Sequence, residues 1–175
     1  VQRNERGSRG HQGRYADAVA PLTESAEIFH AIGDYWTERS PTNNLGMAFY
    51  FLGDVERSTE RYTRALEIAR ANYDESGEAF AYMGLAGLDL LKGNLQGTIT
   101  TYGRARELYQ RLGNRQLESL TLSNVGAVYL RLGDPRAGLD YLQRAQEVRK
   151  LAPNDVARGA QAEVGRVHYV ALRHQ

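Results

Sequence analysis

Cysteine is absent from the 175 residues, and lysine, methionine and tryptophan are rare. Without cysteine there are no disulfides, no thiolate zinc sites and no cysteine nucleophile. No apolar run approaches the roughly 18 residues that indicate a membrane span, and the start lacks the basic and then apolar layout of a signal peptide. We therefore expect a soluble, cytoplasmic protein. Because the first residue is Val1 rather than Met, we expect a fragment or a processed chain.

Neither sign of charge dominates, because 22 basic and 21 acidic side chains give a formal net charge of +1. Nucleic-acid-binding domains usually carry a strong basic excess, so this balance argues against such a partner. Hydrophobic residues make up 42% and charged residues 25%, an ordinary globular composition. All basic residues except Lys92 and Lys150 are arginine, a bias that favours a GC-rich bacterial genome.

What the sequence does contain is an internal repeat with a period of 40 residues. Four columns recur without insertion: Gly13, Gly53, Gly93 and Gly133; Glu27, Glu67, Glu107 and Glu147; Ile28, Ile68, Leu108 and Val148; Ala18, Ser58, Thr98 and Gly138. Self-similarity at such a period predicts a stacked repeat architecture. The predicted units are residues 13–52, 53–92, 93–132 and 133–172.

Each unit has the pattern of two helices joined by a short turn. Residues 42–52 are dense in apolar side chains and end at Gly53-Asp54. This glycine can close one helix in the left-handed conformation, and the aspartate can cap the next. Ser58, Tyr62 and Ala65 then fall three or four residues apart, the spacing of one buried helical face. We therefore predict an all-α solenoid over residues 13–175, with close helix contacts at the small residues.

The two ends differ from the central units. Residues 1–12 should form the first helix by period, yet they contain two glycines and little to bury. We expect a poorly structured N-terminal arm, a cut edge or non-native residues there. Residues 160–172 carry regularly spaced apolar side chains, which predict a terminal helix that could cap the solenoid.

The order of key residues resembles that of the tetratricopeptide repeat family. One copy reads Leu45-Gly46, Phe49, Gly53-Asp54, Ser58, Tyr62 and Ala65, and another reads Val125-Gly126, Tyr129, Gly133-Asp134, Gly138, Leu142 and Ala145. The middle copy departs at Asp89, where the family has an aromatic residue. The period exceeds the usual 34 residues and is similar to the long-period repeats of bacterial multidomain regulators, signalling ATPases and kinesin light chains. The resemblance covers about residues 13–172 and implies a right-handed superhelix with a concave groove.

In that family the first helix of each unit lines the groove and receives a peptide or helix. The corresponding residues here are Asn43, Asn44, Met47, Tyr50, Phe51, Phe80, Met83, Gly84, Gly87, Leu90, Leu91, Leu120, Ser123, Asn124, Ala127, Leu130 and Arg131. Asn44 and Asn124 stand where the family often uses asparagine to bind a ligand's backbone, because an amide both donates and accepts. The alternative is structural: the amides satisfy a neighbouring helix end, and the apolar members are buried between helices.

The chemistry of this groove favours an amphipathic helix as its occupant. The first two units contribute apolar side chains and few cations, whereas an acidic C-terminal peptide would call for clustered lysine or arginine. Two alternatives remain open. One is a peptide-sensing domain that controls an attached effector, and the other is self-assembly into a homo-oligomer through an uncovered terminal face that includes Tyr15, Val19, Leu22, Ile28 and Phe29.

No arrangement of residues predicts catalysis, a metal or a cofactor. The four histidines lack metal-ligand spacing, and His30 reads as a favourable helix-terminal residue. The segment 84–87 is not a phosphate loop, because no strand precedes it and no Gly-Lys pair follows. Arg57, Arg61 and Arg64 alternate with glutamates, as in a solvated, salt-bridged face. We therefore predict a non-catalytic scaffold for protein or peptide binding, part of a larger bacterial regulatory or signalling protein, with neither nucleic acid nor membrane as partner.

Overall fold

The computed structural model describes the backbone of residues 2–151 and the side chains of residues 12–151. Over that range it contains seven helices and no strand: α1 (Gln2–Ala31), α2 (Tyr35–Leu52), α3 (Val55–Ala71), α4 (Glu75–Leu91), α5 (Leu95–Arg111), α6 (Arg115–Arg131) and α7 (Pro135–Lys150). The predicted all-α class with helix-turn-helix repeats is confirmed. The predicted terminal helix at 160–172 lies outside the described residues.

A tight turn recurs every 20 residues and defines the helix boundaries. Five glycines, Gly33, Gly53, Gly93, Gly113 and Gly133, have φ between +66° and +79°, the left-handed conformation that glycine adopts at no steric cost. Tyr73 occupies the same place in the remaining turn, with φ +55°. The next residue then caps the following helix, its side chain accepting a hydrogen bond from the backbone N–H three residues on; these caps are Asp34, Asp54, Asp74, Asn94, Asn114 and Asp134.

Helix α1 begins ahead of the first predicted unit. Its 30 residues include residues 2–12, for which the N-terminal arm stays a prediction, and Gly13 lies inside it although it is in phase with the turn glycines. The residue after Gly13 is Arg14, so the capping side chain that restarts the chain at the other turns is missing. Adding residues to an existing helix costs far less than nucleating a new one. The helix therefore continues through this position.

The chain divides into two compact units at Leu88–Asp89, inside α4. In the first unit α2 packs against both α1 and α3. One apolar cluster joins Ala26 of α1 to Leu45 and Phe49 of α2. A second cluster contains Tyr50, Tyr62 and Leu88, with further half-buried residues packed around it.

The predicted close helix contacts are present in the first unit. Tyr62 is fully buried, and its ring lies so near Gly46 that a Cβ built there would come within 2.8 Å of it. A Cβ at Gly84 would overlap the same ring. Ser58 Oγ donates a 2.7 Å hydrogen bond to the Gly46 carbonyl, which joins α3 to α2. The small residues therefore serve helix packing.

In the second unit α6 packs against both α5 and α7. A Cβ on Gly126 would lie 2.9 Å from the carbonyl oxygen of Gly138, so these two helices approach backbone to backbone. Ser119 Oγ donates a 2.7 Å hydrogen bond to the Ala145 carbonyl. Ala105 and Ala145 are both buried, as their repeat positions predict.

Candidate functional site

The first unit places most of its predicted groove residues on one face of α2 and along α4. Asn43, Tyr50, Met83, Gly84 and Gly87 are buried, and Asn44, Met47, Phe51 and Phe80 are half-buried. The Phe51 ring stacks on Tyr15 of α1 at a centroid distance of 4.3 Å. Burial also raises the pKa of Tyr50 to about 12. Much of this apolar surface is therefore covered by the protein's own side chains, as the structural alternative expects.

The second unit leaves more of its predicted residues accessible. Leu90 and Asn124 are buried, Leu120, Ser123 and Ala127 are half-buried, and Leu91, Leu130 and Arg131 are exposed. On α6 these residues recur at helical spacing and share a face. On this face, the exposed Leu130 adds an apolar side chain near the end of α6, and the exposed Arg131 adds one positive charge.

Two buried amides on these faces lack internal partners. Asn43 is 3% exposed and Asn124 is 0% exposed. Within the part of the chain that the structure describes, neither the nitrogen nor the oxygen of either amide has a hydrogen-bond partner. A buried polar group without a partner costs about 1–3 kcal/mol, so such groups call for an explanation. The sequence singled out Asn44, but the orphaned amide in the first unit is Asn43.

A separate cleft of about 740 Å³ lies between α1, α2 and α3. Its residues are Ala26, Glu27 and His30 of α1, Glu38 and Thr42 of α2, and Glu60, Arg61, Thr63, Arg64 and Glu67 of α3. The two residues from α2 are buried and form its floor. This cleft was not predicted from the sequence.

An ionic cluster lies on the floor of the cleft. Glu38 Oε1 accepts a 3.0 Å hydrogen bond from Arg64 Nε, and its Oε2 lies 3.3 Å from Arg64 Nη2 and 3.0 Å from His30 Nδ1. Burial by itself raises the pKa of Glu38, but the hydrogen bonds from Arg64 and His30 outweigh it and hold that pKa below its usual value. The carboxylate is therefore charged at neutral pH.

Glu38 and Arg64 both stand in columns of the repeat, although the counterparts of Glu38 pair with other arginines. Glu38, Glu78 and Glu118 lie 40 residues apart, as do Arg64, Arg104 and Arg144. Glu78 accepts a hydrogen bond from Arg70 Nε at 3.0 Å, and Glu118 is buried with Arg115 Nη1 at 3.8 Å. These glutamate and arginine columns are visible in the sequence in the same way as the other repeat columns. Their joint role needed the fold, since it depends on side chains from three helices.

The architecture is that of a helical repeat protein, and comparison with known proteins agrees with this. Residues 77–150 match the family model described as tetratricopeptide repeat. This match supports tetratricopeptide repeats over that segment of the chain. The 40-residue type remains a prediction.

Two known proteins are similar over most of the chain. The protein CTR9 homolog of Arabidopsis thaliana is 30% identical over 147 residues, 84% of this chain and 12% of that protein. The crystal structure of BtubC (BKLC) from P. vanneervenii is 25% identical, with a TM-score of 0.71 over 85% of this chain and 63% of that chain. The chain thus spans about an eighth of the first protein and less than two thirds of the second.

Tetratricopeptide repeats are typically non-catalytic and mediate protein–protein interactions, which agrees with a binding role. In the part of the chain that the structure describes, no helix is both long enough and apolar enough to cross a bilayer. Over the same residues, no group of three histidine or acidic side chains is placed to hold a metal ion.

Proposed function

We propose that the chain is a non-catalytic interaction scaffold that binds an amphipathic helix or peptide of a partner protein on the predicted groove residues of its repeats. The open face of the second unit, where Leu91 and Leu130 are exposed, carries the proposal. The general role of tetratricopeptide repeats in protein binding supports it.

The second unit offers the more open surface for this contact. Leu91 and Leu130 are exposed, and the half-buried Ser123 and Ala127 are small enough to admit a ligand side chain. Amphipathic helices bind such surfaces by placing apolar anchors at intervals of three and four residues. Arg131 is the one cation among the predicted groove residues, too few for an acidic peptide.

The test is a selection of random helical peptides on the whole chain, followed by anisotropy titration of the strongest binder. Leu130→Arg should weaken binding about tenfold, because the peptide loses an exposed apolar contact. Leu91→Arg should abolish it while helicity is retained. Leu112→Arg, an equally exposed position in the next turn, serves as the control and should leave affinity unchanged.

Two outcomes would contradict the proposal. Unchanged peptide affinity in both Leu130→Arg and Leu91→Arg would place the binding surface elsewhere. Loss of helix content in Leu91→Arg would show that this residue belongs to the core. Phe51→Arg is a poorer test than Leu91→Arg, since the Phe51 ring is already stacked on Tyr15.

Self-assembly is the second candidate. Tyr15, Val19 and Leu22 were expected on an uncovered face, but they are half-buried against α2. Ile28 and Ile32 remain exposed, and they favour association through the end of α1. Light scattering at two concentrations should show a monomer of 19.6 kDa if the groove is the working surface. A dimer that Ile32→Arg dissociates would support self-assembly instead.

The proposal also covers the cellular compartment and the larger protein to which the chain belongs. We place the chain in the cytoplasm, in a larger bacterial regulatory or signalling protein, because of its arginine bias and long repeat period. A peptide-sensing role would require the ligand to change the arrangement of the helices. Small-angle scattering with and without the selected peptide distinguishes the roles: a changed radius of gyration supports sensing, and an unchanged one supports a static scaffold.

A further inference from the structure

We propose that the cleft between α1, α2 and α3 is a second binding surface, which accepts arginine side chains of a basic segment in a partner protein. This surface is separate from the groove residues of the proposed function. None of the residues that line the cleft belongs to the predicted groove. The two surfaces can therefore be tested independently.

The charge of the cleft favours a cation. Four carboxylates and two guanidinium groups line it. Glu38 and Arg64 neutralise each other on the floor through the short hydrogen bonds described above. The carboxylates of Glu27, Glu60 and Glu67 then face a single remaining guanidinium, that of Arg61.

The rim carboxylates are only loosely engaged by their neighbours. Glu60 Oε1 lies 3.6 Å from Arg61 Nη2, and Glu67 Oε2 lies 3.8 Å from Arg64 Nη1. The side chains of both glutamates are more than half exposed. Exposed pairs at such distances contribute little, so an incoming guanidinium can replace them at small cost. A bidentate arginine–carboxylate pair is the stronger interaction.

An aromatic side chain adds to the cation preference. Tyr35 is half exposed, and its ring meets the His30 ring edge to face at 5.6 Å beside the cleft. The Arg64 guanidinium already lies 5.8 Å from the Tyr35 ring centre. Aromatic rings attract cations over their faces, arginine most often. Carboxylates and an exposed ring together fit a guanidinium better than an anion or a neutral side chain.

The same repeat position in the second unit lacks this combination. Its acidic residues recur as Glu107, Asp140 and Glu147, but Arg115 stands in place of Tyr35. Tyr141 replaces Arg61, and its ring stacks on Tyr129 at 5.2 Å. A cation and a filled aromatic stack oppose entry of a guanidinium. The second unit therefore provides control positions with the same carboxylates and different surroundings.

The experiment uses the whole chain and a capped peptide of alternating arginine and serine. A peptide with citrulline at every arginine keeps the shape and removes the charge. Binding is followed by calorimetry and by fluorescence of Trp36, the single tryptophan, which neighbours Tyr35. The variants are Glu27→Gln/Glu67→Gln and the matched control Glu107→Gln/Glu147→Gln, which changes net charge equally.

We expect saturable binding of the arginine peptide, with the citrulline peptide at least about tenfold weaker because it carries no charge. Glu27→Gln/Glu67→Gln should weaken binding about fivefold or more, and the control pair less than about twofold. Thermal melts verify that both variants are folded. Equal weakening by the two pairs would show non-specific attraction and overturn the proposal, as would equal affinity for citrulline or the absence of saturable binding.

Discussion

Arg64 Nε lies 3.0 Å from Glu38 Oε1, so a side chain of α3 neutralises a carboxylate that is 94% covered by the protein. His30 of α1 reaches the other oxygen of the same carboxylate at 3.0 Å. One buried acid thus connects three successive helices. Breaking a buried pair by removing one partner is usually costly, because the other group loses its compensation.

Glu38→Gln should lower the free energy of unfolding at pH 7 by about 1–3 kcal/mol, because charge-assisted hydrogen bonds are replaced by weaker ones. The folded-state pKa of Glu38 is lowered, so its contribution is present above the unfolded-state value and is lost as the pH falls through the folded-state value. The difference in the free energy of unfolding between wild type and variant should therefore become smaller below about pH 4. Urea unfolding at a series of pH values measures it.

The exposed Glu67→Gln is the control for that series and should change stability little. A stability difference for Glu38→Gln that stays constant from neutral to acid pH would show that the carboxylate charge is not what stabilises the helices.

Gly84→Ala should destabilise the first unit by about 1–3 kcal/mol, because the added methyl overlaps the buried ring of Tyr62. Gly103→Ala is its matched control. Nothing lies within 4 Å of a Cβ at Gly103, in the interior of α5, so that change should stabilise by up to about 1 kcal/mol through helix propensity. Thermal melts compare the two. If both variants gained stability, the close contact with Tyr62 would be disproved.

Tyr73→Gly should raise stability by about 1 kcal/mol. Tyr73 holds φ +55° where the other turns have glycine, and its side chain is 94% exposed, so it loses little packing on removal. Gly93→Ala replaces the positive-φ glycine of the following turn with a residue that has a Cβ, and it should lower stability by a similar amount. Denaturant midpoints measure both effects. A large loss in Tyr73→Gly would point to a role of the ring that the turn geometry does not require.

Ala105→Leu should destabilise the second unit by about 1–3 kcal/mol through overpacking, because this alanine is fully buried in α5. Ala71→Leu makes the same change at an exposed position at the end of α3 and should be nearly neutral. Calorimetry of the two variants gives the comparison. An unchanged melting temperature in Ala105→Leu would refute a tight helix contact at that position.

Local residue patterns were enough to place most of the turns. A turn glycine followed by a capping Asp or Asn carries its own boundary signal, as at Gly53-Asp54, since both effects act within a few residues. Gly13 shares the 40-residue phase but lies inside α1, because the following Arg14 offers no cap. Groove membership was harder to predict: Asn43 and Met83 share the expected register, but register alone does not reveal burial.

Residue patterns alone predicted the all-α class, the helix-turn-helix units and the small residues at helix contacts. These follow from backbone preferences and from periodicity, which are properties of neighbouring residues. The packed helices were needed to show that Asn43 and Asn124 lie buried without internal partners in the described chain, and that His30, Glu38 and Arg64 meet in one cleft. Both depend on how separate helices pack, because burial and ion pairing are set by side chains far apart in sequence.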